Sequence, residues 1–332
     1  MPPPNLSDRG TGGNIKNWPD RAGSVPGRLG PALRSREGVP SVPEGMIERI
    51  GRHPHFPAAA RESAKALVEA HARNRLLNRL VSDRGRAQFG ILALYLHFHD
   101  EAGLTASRMA DLAEEVGVCS RGRVKALLVL LRWAGHVAPV AGARDLRRRP
   151  LAPTERMQAA YRSRWRRQLE LMAPIVPDAA SVAAELDDPA VFGALAVALG
   201  GMIRSGFRLL DHCPAIAPIA ERDNGLLVLL HLALAAPGPA PLAGSEPFAV
   251  SISSLARSVR VSRSHALNLL REAERQGLIA REAAPPGQAE GVVFCCRPLL
   301  AASLAGFFAA AYAAMGTAAA SVTGRARPSL SG

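Results

Sequence analysis

Two segments of this chain carry the same pattern of two helices joined by a tight turn. The first, LAEEVGVCSRGRVKALLVLLRWAGHV, covers residues 112–137, and the second, LARSVRVSRSHALNLLREAERQGLI, covers residues 255–279. A small residue in the first helix (Ala113 or Ala256), a Ser before the second helix and a Gly after it recur at a shift of about 142 residues. The chain is therefore predicted to repeat one structural unit.

The turn between the two helices differs slightly between the copies. Gly117 occupies it in the first copy and Arg260 in the second, where Gly is more usual. The hydroxyls of Ser120 and Ser262 are predicted to cap the second helices. The first copy has one extra residue between its turn and its closing Gly135, so its second helix is expected to start slightly differently. The inward faces of the second helices are predicted to be Val124, Leu127, Leu128 and Leu131 in the first copy and Ala266, Leu269, Leu270 and Ala273 in the second.

Hydrophobic periodicity predicts further helices and two short strands around these segments. The helices are predicted at residues 57–82, 86–99, 155–172, 189–211, 223–236 and 298–323, and the strands at 247–251 and 291–296. In both halves a buried helix precedes the helix pair, and a β-hairpin and a long helix follow it. Residues 1–55 are rich in Pro, Gly, Ser and Arg without periodicity, so they and residues 323–332 are predicted to be disordered.

The charge of the chain indicates a polyanionic partner. The net charge is +13, with 41 basic and 28 acidic residues. Residues 121–167 contain thirteen basic residues but only Asp145 and Glu155 as acidic ones. Such a balance is typical of proteins that bind nucleic acid or an acidic membrane surface.

No feature of the sequence predicts secretion, a membrane span or a catalytic centre. The N-terminus lacks the apolar run of a signal peptide, and the uncharged residues 298–323 are Ala-rich, which favours a packed helix. The four cysteines lack C-x-x-C spacing, so reduced thiols in the cytoplasm are expected. His97 and His99 are too close in sequence to share one helix face, and no known catalytic motif occurs. We therefore expect no enzyme, cofactor or metal, although a redox role for Cys119, beside a helix N-terminus, stays open.

The second segment, with its pattern LAxxxxVSRxxxxxLLxxxExxGLI, resembles the winged-helix family and, more narrowly, bacterial MarR-like transcription regulators. In the first copy, Leu151 and Thr154 resemble the family's motif before its long helix, with Arg156 in place of the usual Gly. The resemblance covers about 84–172 and 223–322. It implies a mainly α fold with small β-hairpin wings (α+β), in which two winged helix-turn-helix units are joined by long helices.

The resemblance also implies DNA-contacting residues and a division into domains. The second helix of each unit would enter the major groove and the hairpin would lie on the minor groove or the backbone. The implied DNA contacts are Ser120, Arg121, Arg123 and Lys125 with the wing residues Arg144, Arg147, Arg148 and Arg149 in the first copy, and Ser262, Arg263, Ser264, His265 and Asn268 in the second. The units would span 57–172 and 223–322, joined by connecting helices at 173–222.

The two units are unequal, because the second wing, EAAPPGQAEGVVF, lacks basic residues at its tip. One chain is therefore expected to act as a pseudo-dimer that binds double-stranded DNA at an asymmetric site and regulates transcription in the cytoplasm. A further homodimer through the long helices and an unidentified small-molecule effector stay open. Two alternatives remain: a replication initiator or chromosome-organising protein, and a protein-interaction module without specific DNA binding.

Overall fold

The computed structural model describes residues 39–73, 84–101, 103–140, 150–238, 242–282 and 292–326. These residues form a mainly helical protein with two small antiparallel sheets. The prediction of a mainly α fold with small β-hairpins is confirmed at that level.

The helices and strands follow the predicted order. The first part of the chain contains α1 (Met46–Gly51), α2 (Phe56–Arg73), α3 (Arg84–His99), α4 (Ala106–Glu115), α5 (Arg121–Trp133), β1 (Val137–Pro139), β2 (Leu151–Pro153) and α6 (Glu155–Met172). The middle contains α7 (Pro177–Glu185), α8 (Pro189–Arg204), a 3-10 turn (Leu209–His212) and α9 (Ala217–Ala220). The last part contains α10 (Gly225–Ala235), β3 (Phe248–Val250), α11 (Ile252–Val259), α12 (Arg263–Arg275), β4 (Ile279–Glu282), β5 (Val292–Cys296) and α13 (Pro298–Ala326).

The strand registers of the two halves correspond. Val137 pairs with Pro153 in the first sheet, and Ile279 pairs with Cys296 in the second. A third segment joins each hairpin from the chain before the helix pair. It is a single bridge between Leu104 and Leu151 in the first half, and strand β3 in the second. Both halves therefore contain elements in the same order: a helix, a strand segment, two helices and a hairpin.

One hydrophobic core runs through the described residues. Helix α13 packs against α1, α2, α7, α8 and α10, so it lies among helices from both ends of the chain. Helices α3 and α8 make an especially close contact, because a Cβ on Gly200 would lie 2.4 Å from the Cβ of Tyr95. The helices between the two hairpins therefore share one interior with them.

Three sequence predictions differ from the structure. Residues 39–55 are ordered, because α1 packs against α13 and buries Ile50, so the prediction of disorder through residue 55 is wrong for this part. The helix predicted at 189–211 ends at Arg204, since the chain turns at Gly206 with φ of 103°. Residues 323–326, predicted to belong to a disordered tail, continue helix α13 to Ala326, so that prediction is wrong for this part. The helix predicted at 57–82 is described only as far as residue 73, and residues 1–38 and 327–332 lie outside the described residues.

Helix α13 is long and apolar enough to cross a membrane by length and composition alone. In the structure, however, 61% of its most apolar stretch is buried inside the protein. A core helix of a soluble protein has the same properties, so the expected packed terminal helix agrees with the structure.

Candidate nucleic-acid interface

Helices α5 and α12 begin in the same way. Each has 13 residues and follows a Ser whose hydroxyl accepts a hydrogen bond from a backbone N–H three residues on. The distance is 3.5 Å from Arg123 N to Ser120 Oγ and 3.1 Å from His265 N to Ser262 Oγ. The extra residue of the first copy lies in the turn before Ser120, so it leaves the start of the helix unchanged. Ser120 and Ser262 act here as N-caps.

The two turns share a left-handed backbone conformation. Gly117 has φ of 67°, which costs a glycine little, whereas Arg260 adopts φ of 58° in spite of its side chain. The guanidinium of Arg260 donates a 2.8 Å hydrogen bond to the carbonyl of Ala72 at the end of α2. This contact ties the second turn to a helix far away in the sequence.

Each helix pair is also braced at the end of its first helix. Arg208 donates to the Val116 carbonyl at 2.6 Å, next to an ion pair of Arg204 with Glu115 at 2.9 Å. In the second pair, the buried Asn224 donates to the Val259 carbonyl at 2.9 Å. Because both turns are held from outside, the direction of α5 and of α12 depends on segments that lie outside each helix pair.

The residues expected to contact DNA from α5 have different surroundings. Arg121 donates to Asp111 Oδ1 at 2.7 Å and to Glu114 Oε2 at 2.8 Å, both on α4. These carboxylates raise the pKa of Arg121 through their hydrogen bonds and charge. Arg123 and Lys125 are exposed. The four wing residues Arg144, Arg147, Arg148 and Arg149 lie outside the described residues.

On α12 three of the expected residues, Arg263, Ser264 and Asn268, are exposed. A ring nitrogen of His265 lies 3.0 Å from the carbonyl oxygen of Asp223, so this side chain leans toward the loop before α10. The hydroxyls of Ser262 and Ser264 are 3.0 Å apart. The structure therefore leaves Ser264, Asn268 and Arg263 best placed to contact a ligand in front of this helix.

The outward faces of the two helices carry different chemistry. Residues at positions i, i+4, i+7 and i+11 lie on one side of a helix. In α5 and α12 one such set lies opposite the buried face. On α12 this side holds exposed polar residues, which we call the polar stripe: Ser264, Asn268, Arg271 and Arg275. On α5 the same positions hold exposed small and apolar residues, which we call the apolar stripe: Gly122, Ala126, Val129 and Trp133.

Arg271, Arg275 and the apolar stripe were not among the predicted contact residues, although their helical spacing is visible in the sequence. Val129 and Trp133 are 65% and 62% exposed, which is unusual for large apolar side chains that have a core within reach. Arg275 forms an ion pair with Glu272 one turn earlier. Arg271 therefore joins Asn268 as a candidate contact of the second copy.

The arginines of α6 are divided between the surface and the interior. Arg162 donates to Glu155 at 3.0 Å and its guanidinium lies 5.3 Å from the ring centre of Phe192. Arg166 forms a 2.8 Å ion pair with Asp187. The remaining arginines are exposed, namely Arg156, Arg164 and Arg167. Part of the positive charge of residues 121–167 is thus neutralised within the protein.

His136, at the end of the first helix pair, is buried, and neither ring nitrogen has a partner among the described residues. Burial, with a smaller contribution from Arg156, lowers its pKa to about 4. Cys295 lies against Glu282, whereas Cys296 faces the Leu232 carbonyl, so the two point to opposite sides of β5 as expected. Within the described part of the chain, no group of three His, Cys, Asp or Glu residues is placed to hold a metal ion.

No family model matches this chain, and neither a curated protein nor a solved structure matches it significantly. Function is therefore inferred from the geometry of α4, α5, α11 and α12 and from the charge around them.

Proposed function

We propose that this chain is a cytoplasmic, sequence-specific double-stranded DNA-binding protein that regulates transcription as a single-chain pseudo-dimer of two winged helix-turn-helix units, resembling MarR-like regulators. One observation carries the proposal. A Ser-capped second helix with an exposed outward face is followed by an antiparallel hairpin, and the arrangement occurs twice. A helix presented in this way fits the major groove of DNA, and the hairpin then lies over the backbone.

The charge of the chain supports a nucleic-acid partner. The net charge of +13 gives long-range attraction to phosphate, and exposed cations stand on both second helices. Arg123 and Lys125 flank the outward face of α5, and Arg263 and Arg271 stand on α12. Phosphate contacts of this kind supply affinity, while side chains on the outward face supply sequence preference.

Asn268 and Arg271 are the residues of α12 best suited to read bases. An Asn side chain pairs with adenine and an Arg side chain with guanine through two hydrogen bonds each in the major groove. Because α5 lacks such residues on its outward face, the two units would prefer different half-sites. The proposed target is therefore an asymmetric site and not a palindrome.

The proposal is tested by fluorescence anisotropy of the full-length protein. The duplexes are fragments from upstream of its own gene and sequences enriched by repeated selection from a random 30-base-pair pool. Titrations run from low to physiological salt, with and without excess random competitor. Two double variants probe the helices, Arg123→Ala/Lys125→Ala on α5 and Asn268→Ala/Arg271→Ala on α12. The control Arg49→Ala/Arg52→Ala removes from the region of α1 the two positive charges that the α5 variant loses, and Arg49→Ala alone removes the single charge that the α12 variant loses.

We expect selection to enrich one sequence element whose binding survives competitor. The α12 variant should weaken binding to that element by about thirtyfold or more, since it removes two bidentate contacts that are each worth about 1–3 kcal/mol. The control should leave the preference unchanged. If no element is enriched and all binding disappears with competitor, the chain has only a basic surface and the proposal is wrong.

A further inference from the structure

If α5 read bases only through hydrogen bonds, its apolar stripe would have no role. Its members are exposed in the same positions where α12 presents Ser, Asn and Arg. Core packing does not account for it, because the buried face of α5 is already formed by Val124, Leu127, Leu128 and Leu131. The stripe is therefore available to contact a ligand.

We propose that Ala126 and Val129 bind the C5-methyl groups of thymines on the floor of the major groove, with Gly122 allowing the helix to approach closely. The inference rests on the proposed DNA-binding function and names the bases that the first unit prefers. Among the major-groove edges of the four bases, thymine alone offers a methyl group, and apolar side chains recognise it.

The charges beside the stripe match the walls of the groove. Arg123 lies on one flank of α5, and Lys125 and Arg132 lie on the other, all exposed. A major groove has an uncharged floor of base edges between two rows of phosphates. An apolar centre with cations on both flanks has the same arrangement of polarity. The nearby carboxylates of Asp111 and Glu114 are bound by Arg121.

The dimensions of the stripe agree with this ligand. Gly122 to Val129 spans about 10 Å along the helix, which corresponds to about three base pairs. Among the described residues beyond its own turn of helix, none has an atom within 4 Å of the position that a Cβ on Gly122 would occupy, so this position is open to a base edge. Trp133, one turn beyond Val129, would then stand at the rim of the groove.

A second copy of this chain fits the stripe less well. A symmetric interface between two apolar stripes would bring the cations of one α5 toward the cations of the other. Arg123, Lys125 and Arg132 would then approach their copies, and α5 itself contains no Asp or Glu. Phosphates offer the opposite charge at the same distance from the stripe.

The test uses the full-length protein and an element enriched from the random 30-base-pair pool. That element is synthesised twice, with thymine and with uracil, which lacks only the methyl group. The variant Ala126→Ser/Val129→Ser removes the methyl groups of the stripe and makes it polar. The matched variant Asn268→Ala/Arg271→Ala changes α12 instead. Affinities are measured by anisotropy, and the mass of the free protein is measured by light scattering.

We expect uracil to weaken binding by about fourfold for each methyl contacted, which is the effect of burying one methyl group. The variant with the polar substitutions at Ala126 and Val129 should bind the thymine and uracil duplexes with nearly the same affinity. The variant of Asn268 and Arg271 should still discriminate between the two duplexes. Equal binding of both duplexes by the unaltered protein overturns the inference but leaves DNA binding intact. A mass that falls from dimer to monomer in the α5 variant, without discrimination, would assign the stripe to self-association instead. If no duplex is bound specifically, the proposed function itself fails.

Discussion

Arg121 and Asp111 form a 2.7 Å hydrogen bond between the two helices of the first pair, and Glu114 completes the contact at 2.8 Å. Arg121, which by its position most resembles a DNA-reading arginine, is therefore hydrogen-bonded to carboxylates of its own unit. All three side chains are more than half exposed, so the contact contributes little to the free energy of folding. Its main effect is to reduce the positive charge in front of α5.

Removing these carboxylates should strengthen DNA binding. In Asp111→Asn/Glu114→Gln, Arg121 is released and two negative charges disappear beside the proposed groove. We expect affinity for duplex DNA to rise about three- to tenfold at low salt, with a steeper salt dependence. The control Glu48→Gln/Glu62→Gln removes the same charge from α1 and α2. An equal gain in the control would mean that only net charge matters.

Asn224 should stabilise the second helix pair through two separable effects. Its side chain donates to the Val259 carbonyl at 2.9 Å, and its backbone has φ of 57°. Asn224→Gly loses the hydrogen bond but keeps an easy left-handed backbone, so we expect a loss of about 1–2 kcal/mol in unfolding free energy. Asn224→Ala should lose about 1 kcal/mol more, because alanine is strained there. Urea denaturation of both variants measures the difference, and equal stabilities would argue against backbone strain.

The contact of α3 with α8 should not tolerate a larger residue at position 200. A Cβ on Gly200 would lie 2.4 Å from Tyr95, so we expect Gly200→Ala to destabilise the fold by about 1–3 kcal/mol. Gly122→Ala is the matched control, because it adds the same methyl at a helical position that has no other described segment within 4 Å. The control should be stabilised by about 0.5–1 kcal/mol. Thermal unfolding without DNA compares them, and a Tm for Gly200→Ala at or above that of the unaltered protein would contradict the close contact.

Buried histidines should lower the free energy of unfolding in mild acid. The pKa of His136 is lowered to about 4 by burial, whereas in the unfolded chain it titrates near 6.5. Between pH 6.5 and 4 the unfolded state therefore binds the proton that the folded state rejects, and stability falls as the pH falls. Above pH 6.5 this contribution is constant. Burial also lowers the pKa of His71 and His231, so they act in the same direction.

The measurement is the urea midpoint of unfolding from pH 7.5 to 4.5. We expect the unaltered protein to lose about 2–3 kcal/mol through His136 over this range. His136→Gln cannot take up a proton, so its stability should depend less steeply on pH, with a residual slope from the other two histidines. An unchanged slope in the variant would show that His136 is protonated without cost in the folded protein.

Much of the architecture was predictable because it depends on local chemistry. The caps at Ser120 and Ser262, the closing glycines and the helical spacing of the inward residues act over a few positions, and the structure contains them where the sequence indicates. The long helix at 155–172 was predicted at its observed limits for the same reason. The recurring order of elements followed from these local signals, since both segments contain them in the same order.

The surroundings of the candidate contact residues were decided by tertiary structure. Whether Arg121 faces solvent or a carboxylate depends on the angle between α4 and α5, and whether His265 points outward depends on the loop that carries Asp223. Helix α1 is ordered because α13, more than 240 residues away, covers it. The sequence by itself therefore determined where the Ser- and Thr-capped helices α5, α6 and α12 begin and which side of each is apolar. Only the packing of distant segments decided which apolar and charged side chains stay exposed, because burial depends on neighbours that no local pattern specifies.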